Sequence, residues 1–252
     1  MLQTIKHPDE ILELRLQRPP VNALNPAMVK ALGQALRDGV DQGASALLLS
    51  GQPGVFTGGL DLPELLTLDP KGMQAFWGEL VECLRLIACC PVPMACALTG
   101  HSPAGGTIMA LFADYRVMAR GDYQLGLNEV QVGLVVPPFV QAALARQIGA
   151  RQAEQHLVAG RMISPEQALQ LGLVDQLAQA DQVIPAAIEW LRQRLGSPTY
   201  AMLAMRNICR RDLQALFDDP TALDLQPFMD FWFDDNSQTR LQQIAARLGK
   251  SG

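Results

Sequence analysis

The chain has 252 residues, 49% hydrophobic and 18% charged, with a net charge of −5 at pH 7. An ordinary apolar fraction with a small net charge excludes an intrinsically disordered chain. An acidic balance, with no Lys/Arg cluster larger than Arg210-Arg211, excludes a nucleic-acid binder, which needs a basic face.

Length allows one large domain or two small ones. The mean hydropathy of +0.10 is slightly high for a soluble monomer and points to an oligomer interface or an apolar pocket. The first ten residues are polar and include Pro8, with no apolar core of a secretory signal. No apolar run reaches the ~18 residues that a membrane span needs. These readings predict a cytoplasmic protein, or a mature organellar chain, without membrane association. The cysteines (Cys83, Cys89, Cys90, Cys96 and Cys209) are odd in number and form no C-x-x-C. With only 3 His, free thiols acting as small hydrophobes are expected, and no metal site.

In chain order, Ile11–Leu16 alternates as a strand and Pro19-Pro20 stops it. Asn25 followed by Pro26 predicts an N-cap with proline at the first helical position. The helix that follows carries Met28, Leu32, Ala35, Leu36 and Val40 on one face. Residues 46–49 are a short, fully apolar strand, which makes a βαβ-like rhythm and an α/β class. A glycine-rich loop over 51–59 leads to a helical region ending near Ala88. Met94–Leu98 is a second buried strand. Residues 100–106 read as a turn into an apolar helix over 105–113. Tyr115–Ala119 and residues 123–127 read as strands. Beyond a loop around 128–138 the chain is mostly helical, with a helix start at Ser164-Pro165-Glu166-Gln167, whose spacing is that of a capping box. Gly172 is its C-cap, residues 174–177 form a last strand, and only helices follow Asp181. A boundary near Gly196-Ser197-Pro198 sets off a helical tail.

Gly100-His101-Ser102 resembles the start of a nucleophile elbow, but that motif needs G-x-S-x-G and here the fifth position is Ala104. The only later histidine is His156, inside a predicted helix over 151–159. The bland alternative for His101 and Ser102 is turn residues beside a pocket. Two other loops share a design. Phe56-Thr57-Gly58-Gly59-Leu60-Asp61-Leu62 and Pro103-Ala104-Gly105-Gly106-Thr107 each follow a buried strand and open toward a helix. Glycine lets backbone N–H groups approach a ligand. Two such donors aimed at one point make an oxyanion hole; each loop taken singly is equally a tight turn.

Several segments together resemble the crotonase, or enoyl-CoA hydratase/isomerase, superfamily. They are Pro20-Val21-Asn22-Ala23-Leu24, the two glycine loops, Asp114-Tyr115-Arg116, Leu125-Gly126-Leu127-Asn128-Glu129 and Ala168-Leu169-Gln170-Leu171-Gly172-Leu173-Val174-Asp175. They occur in the family's order and span nearly the whole chain. The resemblance implies an α/β spiral of ββα turns over residues 1–196, holding an acyl-CoA site. It also implies a C-terminal helical trimerisation region over 197–252. The Gly-Leu-Asp-Leu, Pro-Ala-Gly-Gly and Gly-Leu-Asn-Glu segments are most similar to the mitochondrial-type Δ3,Δ2-enoyl-CoA isomerase branch.

The family's oxyanion-hole N–H groups match Leu60 and Gly105, and its general base matches Glu129. Its substrate-binding positions match Asn22, Ala23, Leu24, Gly58, Gly59, Asp61 and Leu62, with Gly106 and Asn128 beside them. In the family's hydratases two glutamates hold one water. The first of the two falls at Ile108 here, which favours proton shuttling by one carboxylate. The implied reaction moves the double bond of a 3-enoyl-CoA to position 2, in fatty-acid β-oxidation. It needs no metal or cofactor, since coenzyme A is part of the substrate. The implied assembly is a homotrimer or hexamer. Asp61, Glu64, Glu79 and Glu82 could restore a two-acid mechanism, so hydratase and dienoyl-CoA isomerase stay as alternatives, with a non-catalytic acyl-CoA-binding scaffold. In the tail, Phe228, Phe231, Trp232 and Phe233 read as a core face or an acyl-pocket cover. Arg206, Arg210 and Arg211 read as a solvated face or as CoA-phosphate contacts.

Overall fold

The computed structural model, which describes residues 1–248, begins with antiparallel strands β1 (Leu2–His7) and β2 (Ile11–Leu16). Helix α1 (Pro26–Asp41) carries the chain across to β3 (Ala46–Ser50), which pairs parallel to β2. The start of α1 is fixed as its sequence implies: Asn25 Oδ1 accepts from the Met28 N–H at 2.8 Å, with Pro26 next in line.

Three turns then repeat one pattern: a strand in a large sheet, a short strand in a second sheet, and a helix. The first is β3, β4 (Gly54–Val55), α2 (Leu62–Leu65) and α3 (Pro70–Ala88). The second is β5 (Met94–Leu98), β6 (Gly100–Pro103) and α4 (Gly105–Leu111). The third is β7 (Tyr115–Ala119), β8 (Leu125–Gly126), a 3-10 turn (Glu129–Val132), α5 (Pro138–Ile148) and α6 (Ala150–Ala159). Strand β9 (Met162–Ile163), helix α7 (Pro165–Leu171) and strand β10 (Gln176–Ala178) close the two sheets. Their orders are β1-β2-β3-β5-β7-β10 and β4-β6-β8-β9. This is the expected ββα spiral. Helices α8 (Val183–Leu195), α9 (Thr199–Cys209), α10 (Arg211–Ala215), α11 (Gln226–Trp232) and α12 (Asp235–Leu248) complete the described chain. Residues 249–252 of the expected tail lie outside the described residues.

Every residue of β3 and β5 is buried, as parallel strands covered on both faces require. Leu47, Leu49, Cys96 and Leu98 face a large core shared with α1, α3 and α4. Ala46, Leu48, Ala95, Ala97 and Ala119 face the other side, where α8 lays Val183, Ala187 and Leu191 against them. The small alanines let one helix sit close to the sheet. Cys83, Cys90 and Cys96 are buried free thiols, and burial pushes Cys83 and Cys96 up to about 12.

The structure differs from the sequence reading at the second sheet. Residues 100–103, read as part of a turn, form β6, and the strand read over 123–127 shrinks to β8. The last strand lies at Gln176–Ala178 instead of 174–177. Residues 2–7, read only as a polar terminus, form edge strand β1. Two-residue ladders carry no hydrophobic period, so the apolar pattern cannot announce them. One residue does betray the second sheet. A Cβ on Gly100 would lie 2.0 Å from the Gly54 carbonyl carbon across the β4–β6 pair.

The tail is bolted onto the spiral. Leu213, Phe217, Phe228, Trp232 and Leu241 belong to the same core as α1 and α3, whereas Phe231 is exposed. Arg206 donates through Nε to both Asp114 carboxylate oxygens at 2.9 Å and through Nη1 to the Cys90 carbonyl at 2.7 Å. Arg210 donates to the Phe112, Ala113 and Ala88 carbonyls, at the C-terminal ends of α4 and α3. These two arginines are therefore committed to docking the tail and do not face a ligand phosphate; Arg211 is exposed. Arg116 and Asp175, both in family-like segments, form an ion pair at 2.8 Å.

Candidate active site

The first glycine loop is zipped to the Asn22-Ala23-Leu24 turn. Gly58 N–H donates to Val21 O at 2.6 Å, Leu24 N–H to Gly59 O at 2.8 Å, and Asp61 N–H to Leu24 O at 3.0 Å. Asn22, fully buried at φ +52°, donates through Nδ2 to Phe56 O and accepts the Arg18 N–H at Oδ1. The Leu60 N–H, lying between these bonds, donates to no other group among the described residues. Gly59 turns the chain there at φ +85°, a region that favours glycine.

The second loop is locked by Thr107. Its hydroxyl donates to Ser102 O at 2.6 Å and accepts the Gly126 N–H at 2.9 Å, tying β6, α4 and β8 together. Ala104, at φ +45°, precedes α4, and its N–H donates to Gly126 O at 2.8 Å. Gly105 is the first residue of that helix, where the N–H has no partner within the helix. The two loops touch: a Cβ on Gly59 would lie 3.5 Å from the Ala104 Cβ and 3.9 Å from the Gly105 nitrogen. Two unused backbone donors thus sit on adjoining loops.

Glu129 begins the 3-10 turn after β8 and is only 8% exposed. Its Oε2 is buried without a hydrogen-bond partner. Burial pushes the carboxyl up to about 7, and only a bond from its own backbone N–H opposes this. The turn is pinned from the tail by Ser237, whose hydroxyl donates to Gly133 O at 2.7 Å.

A cavity of about 240 Å³ joins these parts, with Leu60, Gly105, Ile108 and Glu129 in its wall. Of the other expected site residues, Gly58, Leu62 and Asn128 also line it. Asn22, Ala23, Leu24 and Gly59 build the wall's support through the bonds above. Gly106 is packed behind it, where a Cβ would meet Ser102 Oγ at 2.6 Å and Thr57 Cγ2 at 2.8 Å. Asp61 faces away: it caps α2 by accepting the Glu64 N–H and pairs with Arg18 at 2.6 Å.

Glu64 accepts from Asn25 Nδ2, Glu82 pairs with Arg37 and Arg85, and Glu79 is exposed. Glu129 is the one carboxylate lining the cavity among the described residues. Ser102 is fully buried with its hydroxyl unpartnered, and the His101 ring accepts the Gln124 N–H instead, so no serine nucleophile is assembled. The cavity's apolar walls from Trp77, Leu80, Leu84, Val140 and Ile244 were not anticipated, whereas Phe228, read as a core face or an acyl-pocket cover, does line it. Their helical spacing is that of an ordinary core face. Among the described residues no group of His, Cys, Asp and Glu could hold a metal ion, and no helix is long and apolar enough to cross a membrane.

A family model described as enoyl-CoA hydratase/isomerase matches residues 6–247. The human mitochondrial enoyl-CoA delta isomerase 1 is 32% identical over 240 residues, covering 93% of this chain and 79% of that protein. A Mycobacterium avium protein named "Probable enoyl-CoA hydratase" is 32% identical over 212 residues, covering 83% of this chain and 80% of its own. The solved structure of human mitochondrial delta3-delta2-enoyl-CoA isomerase matches with a TM-score of 0.91 and 30% identity, over 98% of both chains.

Proposed function

The chain belongs to the enoyl-CoA hydratase/isomerase family, and we propose that within it this protein is a Δ3,Δ2-enoyl-CoA isomerase. Membership makes it an enzyme acting on enoyl-CoA thioesters. The finer reading is carried by one observation: among the described residues a single carboxylate, Glu129, lines the cavity, and Ile108 occupies the wall where hydratases of the family would have a second. Isoleucine can neither ionise nor hold a water for attack. One carboxylate suffices to move a proton between two carbons.

The Leu60 and Gly105 N–H groups would receive the thioester oxygen. Ionised Glu129 would take a proton from C2 of the 3-enoyl-CoA. The C2–H electron pair becomes part of a dienolate, whose negative oxygen the two donors stabilise. Protonated Glu129 then returns the proton to C4, the electrons settle between C2 and C3, and 2-trans-enoyl-CoA leaves. No atom is gained or lost. Such a step would feed unsaturated acyl chains into fatty-acid β-oxidation.

The raised carboxyl gives the test its sign. The base works only when ionised, so conversion of 3-hexenoyl-CoA to its 2-enoyl isomer should rise with pH through about 7 and level off above it. A rate already flat from pH 5 upward would contradict the assignment of Glu129 as base.

The same reading makes the assembly a homotrimer or hexamer. Helix α9 supports it: no residue of α9 is buried, and Tyr200, Met205 and Ile208 are 83%, 60% and 57% exposed. Light scattering should give a multiple of three of the 27.4 kDa chain mass. A monomer would contradict it.

A further inference from the structure

Two hollows meet at one side chain. The cavity of about 240 Å³ that holds Glu129 is also lined by Leu80, Leu84, Phe228 and Trp77. On the other side of Trp77 lies an open groove of about 870 Å³, with Leu225, Met229 and Phe233 among its lining residues and Lys71, Asp230 and Asp234 beside them. Trp77 is the one residue among the described residues that lines both. Its ring centroid is 4.2 Å from that of Phe228, and both side chains are buried. Phe228 lines the cavity, while its neighbour Met229 on α11 lines the groove. The Trp77–Phe228 pair is thus a partition between an apolar cavity and a more open amphipathic groove.

We infer that Trp77 is the stop that sets acyl-chain length, confining the enzyme to medium-chain acyl-CoA esters. This rests on the acyl-CoA reading above. A cavity of about 150 Å³ holds the six carbons of benzene. By proportion, 240 Å³ takes about ten carbons, counted from the thioester carbonyl. A chain of fourteen has no room unless Trp77 yields. With that ring gone, the chain's end would reach the apolar residues of the groove.

The Trp77 indole N–H has no hydrogen-bond partner, so replacing it orphans no polar group, and Trp77→Leu keeps much of the packing that Trp77→Ala removes. The test titrates wild type and both variants with saturated octanoyl-CoA and tetradecanoyl-CoA, which cannot react. Initial rates with 3-octenoyl-CoA and 3-tetradecenoyl-CoA run in parallel. Each buried methylene should tighten binding about fourfold, from about 0.8 kcal/mol per group. In wild type, tetradecanoyl-CoA should bind no more tightly than octanoyl-CoA, and the longer substrate should have at least tenfold lower kcat/KM. Both ratios should shift at least tenfold toward the longer chain in the variants. The inference is overturned if wild type already gains affinity from eight to fourteen carbons, whatever the variants do. It is equally overturned if a folded variant keeps the wild-type ratio, or if neither ester binds. If the esters bind in the expected pattern but no 3-enoyl-CoA is isomerised, the partition stands and the isomerase reading fails.

Discussion

Glu129→Gln should lower kcat for 3-hexenoyl-CoA isomerisation by about a thousandfold, within the range of 10²–10⁴ typical of a positioned general base. The replacement keeps shape and hydrogen-bonding capacity but cannot accept a proton, so affinity for a saturated CoA ester should survive. A second readout comes from stability. The carboxyl of Glu129 is raised from an ordinary 4.5 to about 7 in the folded protein, because burial disfavours its charge. Between those two pH values the native state binds the proton more firmly than the unfolded chain does. Its contribution to stability is therefore fully present below 4.5 and is lost as pH rises through about 7. The glutamine variant should lack this slope in a series of melting curves. Loss of activity with the slope intact, or loss of the slope with activity within tenfold of wild type, would separate Glu129 from the role assigned to it.

The oxyanion hole makes the next demand. Gly105→Pro should cost about 10²–10³ in kcat, the usual effect of deleting one such donor. Proline lacks the N–H but is well tolerated at the first position of a helix, which is where Gly105 stands. The control is Gly105→Ala, which keeps the N–H and adds a Cβ in the same place. That Cβ would approach the Leu24 Cδ1 methyl at 2.7 Å in both variants, and a flexible side-chain tip can move aside. The donor's contribution is the difference between the two variants. Equal activities would mean that the Gly105 N–H does not hold the thioester oxygen.

Much of this architecture is legible in the sequence. The apolar runs at 46–49 and Met94–Leu98 marked strands, which the fold buries and pairs in parallel. Asn25 and Ser164 marked helix starts, and Ser164 forms the full capping box with Gln167. Gly172 caps α7 in the left-handed conformation, as a C-terminal glycine should. The second sheet was hidden because β4 and β8 have only two residues each. Their existence depends on backbone pairing between distant segments, which leaves no local pattern.

The site divides along the same line. Glu129, Leu60 and Gly105 came from the order of short motifs, and the fold brings them to one cavity. Asp61 belonged to the same motif, yet it caps α2 and pairs with Arg18. A motif does not separate a residue that touches a ligand from one that shapes the loop. The walls at Trp77, Leu80 and Leu84 recur at helical spacing, so they could not be told from core. Arg206 and Arg210 looked like candidates for an anionic ligand because their partners, Asp114 and the carbonyls at Ala88 and Phe112, are about a hundred residues away in sequence.

The proposed isomerase activity rests on one carboxylate, Glu129, with no second lining the cavity among the described residues to hold water. The most direct measurement incubates the protein with 3-hexenoyl-CoA and, separately, with 2-trans-hexenoyl-CoA, and follows double-bond migration and hydration side by side. The expected result is rapid migration with hydration slower by at least a hundredfold. Hydration at a rate equal to migration would contradict the account.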